Sequence, residues 1–280
     1  KAALPSLCMK LRPEIESGKF ERKDVAVSFG KVLRGEAPPP YGDAASFFQF
    51  TYPTDAIKIA LTTVLNRVLG KGGDSVLLIY SGFGGGKTHL LATVYYYLKD
   101  GKEAKGTPIW DATGGTLPPK THICGFDGVD LDPWEEPLWK WLGKCLNGLD
   151  FVKDYVDERR LRPPPAEVLR KLFSKINEPV VLLIDELGEY FRRIYAYPIS
   201  VQDKISYFEG IIGFFRSLYE AMRERDVLVV SVPDESAPYD DEIKRRLRML
   251  VEVLKRVGRE VVPVTRVDEV YGIVKRRIFE

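Results

Sequence analysis

Three almost wholly apolar runs, SVLLIY (75–80), VVLLI (180–184) and VLVVSV (227–232), restrict the fold of this chain more than any other feature. A strand with no polar alternation has no face to offer to water, so it must be covered on both sides. The stretches between these runs repeat their apolar residues at helical spacing. Ile57, Ala60, Leu61, Val64, Leu65 and Val68 follow Thr54 and Asp55, which suit a helix start, and Gly70 ends the pattern. Lys87 to about Leu98 reads as a buried helix, 166–176 as an amphipathic one, and Phe208 to Met222 as part of a long one. Pro137 opens a helix whose inner face takes Leu138, Trp141, Leu142, Cys145, Leu146 and Leu149. A basic amphipathic helix at about 241–257 and a last helix from Val267 complete the set, with weaker strands at THICGF (121–126) and EVVPV (260–264). Strands alternating with helices predict an α/β fold: a five-stranded, mostly parallel sheet covered by helices on both faces. The expected layout is a leader over 1–50, a core over 51–264 and the start of a helical lid over 265–280.

The chemistry concentrates where the first apolar run ends. SGFGGGKTH (Ser81 to His89) meets the phosphate-loop pattern G-x-x-x-x-G-K-[ST] at Gly86, Lys87 and Thr88, with Ser81 standing at the first glycine position. Gly82, Gly84, Gly85 and Gly86, with Phe83 among them, let backbone amides turn inward around phosphate oxygens, and the following helix points its positive end at the same anion. Lys87 would reach the β and γ phosphates of ATP, and Thr88 would ligate Mg²⁺. VVLLIDE then places Asp185 and Glu186 at the end of an apolar strand, where Asp185 would hold Mg²⁺ and Glu186 would polarise the attacking water. The bland alternatives are a glycine-rich turn and an acidic helix cap. Each suffices for one motif but not for both.

Asp185-Glu186-Leu187-Gly188 also fits the D-x-x-G of GTPases, but no guanine-reading N/T-K-x-D occurs, nor an LSGGQ-like stretch. An acid pair after one strand and a small polar residue, Ser231, on the next point to the additional-strand ATPases, AAA+ proteins among them. In that reading Ser231 lies on a strand between the two motif strands and contacts water or γ-phosphate. Arg256 and Arg259 occupy the neighbourhood of an arginine finger acting on an adjacent subunit, and Tyr52 lies in a segment that often lines the adenine pocket. Ser231 ending a strand, charged helix ends and a core aromatic are the ordinary readings of the same residues. His89 and His122 read as structural histidines, and the basic stripe of EIKRRLRML (242–250) reads as a solvated face.

Charge and composition limit the remaining classes. Forty-two basic against 40 acidic residues leave +2, so no global charge argues for nucleic acid or a membrane surface. The aliphatic runs are too short to span a bilayer. Cys8, Cys124 and Cys145 are odd in number and form no CxxC, which argues against a disulfide framework and a zinc site and fits a reducing cytoplasm. Only two Gln and three Asn occur, a scarcity of thermolabile amides that hints at a thermophilic source. The chain opens on Lys1 rather than Met, without an apolar leader, and reads as a trimmed piece rather than a secreted precursor.

TYPT (51–54), GFGGGKTHLLATVYYYL (82–98), VVLLIDELGEYFRR (180–193) and VYGIVKRRIFE (270–280) together resemble the prokaryotic AAA+ ATPases catalogued as domain of unknown function 499. The likeness runs from about Tyr41 to Glu280, with GKTH and the RRIFE ending its more distinctive parts and 101–133 the loosest. It implies an archaeal or bacterial P-loop ATPase core followed by a helical lid and further domains, in some cases encoded beside DNA-modification systems; a homo-oligomer of the whole protein is the expectation that goes with a trans-acting Arg256 or Arg259. Expected function is therefore Mg-dependent ATP hydrolysis that drives conformational change in a partner, DNA or a DNA-modification complex being the candidates. The alternatives are a nucleotide-binding scaffold with little turnover and a small-molecule P-loop kinase.

Overall fold

The computed structural model describes residues 10–18, 27–82, 84, 86–157, 161–264 and 266–279. In chain order the elements are α1 (Pro13–Glu16), α2 (Phe29–Arg34), α3 (Ala44–Phe50), α4 (Asp55–Val68), β1 (Val76–Ser81), α5 (Lys87–Asp100) with a 3-10 turn (Gly101–Ala104), α6 (Pro108–Ala112) and β2 (His122–Asp127). They continue with α7 (Leu138–Cys145), α8 (Leu149–Asp157), α9 (Ala166–Phe173), β3 (Val180–Asp185), α10 (Leu187–Ala196), α11 (Val201–Ala221), β4 (Val227–Pro233), α12 (Asp241–Lys255), β5 (Arg259–Val261) and α13 (Val267–Ile278).

The five strands form one sheet in the order β2-β3-β4-β1-β5, every neighbouring pair parallel. The apolar runs explain both covered faces. Along each strand alternate side chains enter different cores: Leu78, Leu182, Ile184, Leu228 and Val230 join one, and Leu77, Ile79, Val181, Leu183 and Val229 the other. The first core is closed by α7 to α12 and the second by α2 to α5. Full burial of each Leu, Ile or Val contributes about 1.5–3 kcal/mol, so the strand interiors alone supply a large driving force. Among the described residues no helix is long and apolar enough to cross a membrane.

Local signals set most boundaries. Thr54 caps α4 by accepting from Ile57 N at 3.2 Å, and Ser200 caps α11 by accepting from Asp203 N at 3.1 Å. The single helix expected across 137–149 is instead two. Asn147 adopts φ 55°, its amide donates to Lys144 O at 3.2 Å, and Gly148 N donates to Gly143 O at 2.8 Å. That pair of bonds closes α7 before Leu149 begins α8, and Asn tolerates the left-handed position that the closure requires. The three tryptophans of 134–141 are buried; Trp141 donates its indole N–H to Gly125 O of β2 at 2.8 Å, tying α7 to the sheet.

A second deviation concerns the cysteines. Cys124 on β2 and Cys145 at the end of α7 are disulfide-bonded, with Cα atoms 6.0 Å apart, against the expectation of no disulfide. The 21-residue separation hid the pairing, because only the packing of α7 across β2 brings the two together. Cys8 lies outside the described residues.

A buried acid, Asp226, paired with the half-buried Arg223, fastens the segment after α11 to the sheet. Asp226, fully buried, accepts from Val180 N (2.8 Å) and from Arg223 N, Nε and Nη2 (2.8, 2.9 and 2.9 Å). Removing the Asp226 carboxylate leaves Val180 N and Arg223 N without their acceptor, while the half-buried Arg223 keeps its bonds to Ile176 O and Glu178 O. Asp226→Ala is therefore expected to destabilise the fold by about 3 kcal/mol, the cost of unsatisfied buried donors. Urea unfolding followed by circular dichroism measures this, and a loss below about 1 kcal/mol would show the pair to be ornamental.

Candidate phosphate-binding and acid site

Inserting β4 between β1 and β3 brings the carboxyl ends of β2, β3, β4 and β1 side by side. Asp127 pairs with Asp185, Ile184 with Val230, and Ser81 with Pro233. Ligands of open α/β sheets bind beyond this edge. The loop leaving β1 needs glycine at two positions in particular: Gly84 and Gly86 have φ 76° and 84°. Gly86 is also the cap of α5 and supplies no side-chain acceptor, so the first amides of that helix remain available to an anion. Phe83 and Gly85 lie outside the described residues.

Lys87 folds back on its own loop. Its ammonium donates to Ser81 O at 3.0 Å and Gly82 O at 2.7 Å. Burial lowers its pKa, while the carboxylates Asp185, Glu186 and Asp234 act in the opposite sense. Ser81 Oγ is buried without a partner among the described residues.

The next residue crosses to the acids. Thr88 Oγ1 donates to Asp185 Oδ2 at 2.7 Å, and the other oxygen of Asp185 accepts from Ser231 Oγ and from Glu186 N (3.0 Å). Ser231, expected to meet water or phosphate, thus spends its hydroxyl on holding Asp185. Burial raises the pKa of Asp185, and these hydrogen bonds partly offset that. Thr88 and Asp185 form a pair of hard oxygen donors of the kind that suits Mg²⁺.

Glu186 is held in a left-handed conformation, φ 57° and ψ 38°, which costs a non-glycine residue about 1–2 kcal/mol. Its neighbours impose the shape. Gly128 stands so close that a Cβ there would lie 2.1 Å from Glu186 O, and Gly188 lies under the ring of Tyr239. Burial first, then the charges of Asp185 and Asp127, push its carboxyl up to about 7. Strain and a poised acid on one residue mark functional positions.

Two contributors escaped the sequence reading. Asp127, buried at the end of β2, accepts from Gly30 N (2.7 Å), Ser28 Oγ (3.1 Å) and Val129 N (2.9 Å), linking the start of α2 to the acid edge. Only its position at the end of a weak strand could have signalled it. After β4, Asp234 N donates to Ser81 O at 3.1 Å, and Ser236 Oγ presses on Gly82, where a Cβ would meet it at 2.8 Å.

On the other side of Gly86 a cleft is lined by Tyr52, Thr54, Ile57, His89, Pro263, Ile273 and Arg277. Tyr52 is one of the walls of this cleft, with Gly272 of α13 against its ring. Glu269 of α13 accepts from Asp55 N at 2.7 Å, which seats that helix on the start of α4. His89 is a wall residue: Tyr41 Oη lies 3.0 Å from Nδ1 and Thr51 Oγ1 3.2 Å from Nε2. Thr51 already donates to Phe47 O, so His89 must donate from Nε2 and accept at Nδ1. Burial, with Arg277 nearby, takes its pKa down to about 3, so the ring is neutral.

Arg256 and Arg259 are not brought to this site. Both are exposed, and Arg259 pairs with Leu77, four residues or about 13 Å before Ser81 along the strand direction. Of the basic stripe of α12, Arg246 is buried and pairs with Glu242, while on the surface Arg245 pairs with the same Glu242 and Arg248 with Glu235.

Fold and site together define the class: an α/β protein whose all-parallel sheet carries a glycine-rich loop and three acids at one edge. The chain belongs to the DUF499 N-terminal domain family, which matches it over residues 6–112 and 135–268. The interruption, 113–134, spans β2 and with it Asp127 and Cys124. No curated protein and no solved structure matches the chain.

Proposed function

We propose that this chain binds Mg-ATP and hydrolyses it as a P-loop ATPase of the additional-strand, AAA+ type. The observation that carries the reading is the junction of the two motifs, where Thr88 of the glycine loop and Asp185 of β3 share a hydrogen bond and Glu186 stands next to it. The amides of Gly84, Gly86 and the first turn of α5 cradle phosphate oxygens, and Lys87 exchanges the carbonyls of Ser81 and Gly82 for them. Mg²⁺, held by Thr88 and Asp185, would neutralise the charge shared by the β and γ oxygens. Glu186 orients a water and takes its proton, and Ser231 keeps Asp185 in place. Tyr52 and Ile57 cover the base in the cleft beside Gly86. Arg256 and Arg259, remote from their own site, would serve an adjacent subunit in a homo-oligomer.

A second reading, a nucleotide-binding scaffold with little turnover, draws on one observation. Lys87 is engaged by its own loop and the Glu186 carboxyl is raised to about 7, and both would have to change for turnover but not for binding by the loop amides. Calorimetric titration with Mg-ATP and Mg-GTP, alongside phosphate release with and without duplex DNA, decides between them. Binding with turnover is the expected result, with ATP preferred over GTP. Binding alone favours the scaffold, and absence of ATP binding removes both.

A further inference from the structure

We propose that His122, Cys124 and Cys145 form a thiolate–imidazole site for a zinc-class cation, closed by the disulfide and opened by its reduction. The three ligand atoms lie within 4.8 Å of one another. His122 and Cys124 are two residues apart on β2, so both side chains leave the same face of the strand, beneath the end of α7. Cys145 Sγ stands 3.7 Å from His122 Nε2. Zinc bonds of about 2.3 Å to sulfur and 2.0 Å to nitrogen at a tetrahedral angle require a separation of about 3.5 Å, so this pair is already close to the spacing of a shared metal. Two sulfurs and an imidazole favour a borderline-soft ion over Mg²⁺ or Ca²⁺. With three protein ligands the fourth position falls to water.

The thiols stay together without the disulfide. Trp141, one turn before Cys145, donates to Gly125 O at 2.8 Å and its ring packs against Phe126 with centroids 5.3 Å apart. These contacts dock α7 on β2 independently of sulfur. Reduction by a dithiol passes two electrons to the Cys124–Cys145 bond; the bond breaks, two thiols form, and the reductant leaves as its own disulfide. Zn²⁺ then displaces the two thiol protons to solvent. His122 Nε2, now 2.8 Å from Cys145 O, presents its lone pair once the ring proton sits on Nδ1. The two β2 ligands, His122 and Cys124, lie five and three residues, about 16 and 10 Å, before Asp127 along the strand, so occupancy of the site is independent of the nucleotide reading.

The test uses the chain in a Cys8→Ser background, oxidised or reduced with a phosphine that is then removed. Zn²⁺ is titrated against a chromophoric chelator, and Co²⁺ serves as a spectroscopic probe. The reduced chain is expected to take up one Zn²⁺ and to show thiolate-to-cobalt charge transfer in the near ultraviolet, and the oxidised chain neither. His122→Ala should weaken Zn²⁺ binding at least about ten-fold, and Cys124→Ser should remove most of the charge-transfer intensity. Uptake by the reduced chain no greater than by the oxidised one overturns the proposal, as does a disulfide that yields only on unfolding. If Cys124→Ser fails to fold, the partly exposed His122 carries the test, and unchanged affinity in His122→Ala rejects the site.

Discussion

Lys87→Ala is expected to weaken Mg-ATP binding by at least about a hundred-fold, close to 3 kcal/mol, which at ordinary nucleotide concentrations reads as no binding. Lys87 is the cation positioned at the glycine loop: its ammonium sits on Ser81 O and Gly82 O, within reach of the space enclosed by the turn. Truncation removes that charge and leaves the phosphates to backbone dipoles and the Mg²⁺ ion. The apolar body of α5 is unaffected, because Leu90, Leu91 and Val94 hold the helix in the core. The thermal midpoint should therefore stay near that of the parent chain, which separates loss of binding from loss of fold. Affinity unchanged by calorimetry would remove the phosphate-loop reading.

Glu186→Gln should leave Mg-ATP affinity nearly intact and slow hydrolysis at least about ten-fold, with a hundred-fold effect well within the range of positioned bases. The amide keeps the size of the side chain but cannot take a proton. The pH dependence follows from the carboxyl raised to about 7. A base must be deprotonated, so kcat/KM, which reports the free protein, should rise with pH through about 7, level off above it, and fall close to ten-fold per unit on the acid side. The glutamine variant should lose that inflection. Stability moves the opposite way. A carboxyl whose folded pKa lies above its unfolded value makes the fold less stable as pH rises from about 4.5 to 7, and the cost persists above that window. Glu186→Gln should accordingly raise the thermal midpoint of the nucleotide-free chain at pH 8. Wild-type turnover in this variant would reduce Glu186 to a helix cap.

The trans role assigned to Arg256 and Arg259 rests on placement at the far edge of the sheet, and the paired arginines of α12 give duplex DNA little to grip. A client protein or a DNA segment elsewhere on the surface is therefore left to the phosphate-release measurement with and without DNA.

Much of the site was legible locally. A strand that is apolar at every position, then glycines, then Lys-Thr on a buried helix is a pattern of about twenty adjacent residues, and Asp185 and Glu186 end another such strand. These follow from near-neighbour physics: burial demands, φ values open only to glycine, and the free amides of a helix start. Tyr52 came from its place before α4 and does line the cleft, whereas Ser231 was found on the right strand with its hydroxyl turned to Asp185 rather than outward.

The rest required the chain to fold, because it depends on pairs that periodicity over ten or fifteen residues does not relate. Asp127 joins the acids only because β2 lies beside β3, 58 residues later in sequence, and its own strand was weak in composition. Asp234 and Ser236 reach Gly82 because β4 is inserted next to β1 across about 150 residues. Arg277 meets the cleft through the seating of α13 on α4. The break at Asn147 escaped a reading that saw one apolar face running from Leu138 to Leu149, although Asn-Gly is a stop signal in its own right. Cys124 and Cys145 carried no spacing to advertise them. The sequence by itself determined which segments must be buried and which atoms could meet a phosphate; the tertiary structure alone decided which distant side chains share one edge of the sheet, since strand order is set by how two cores close over it.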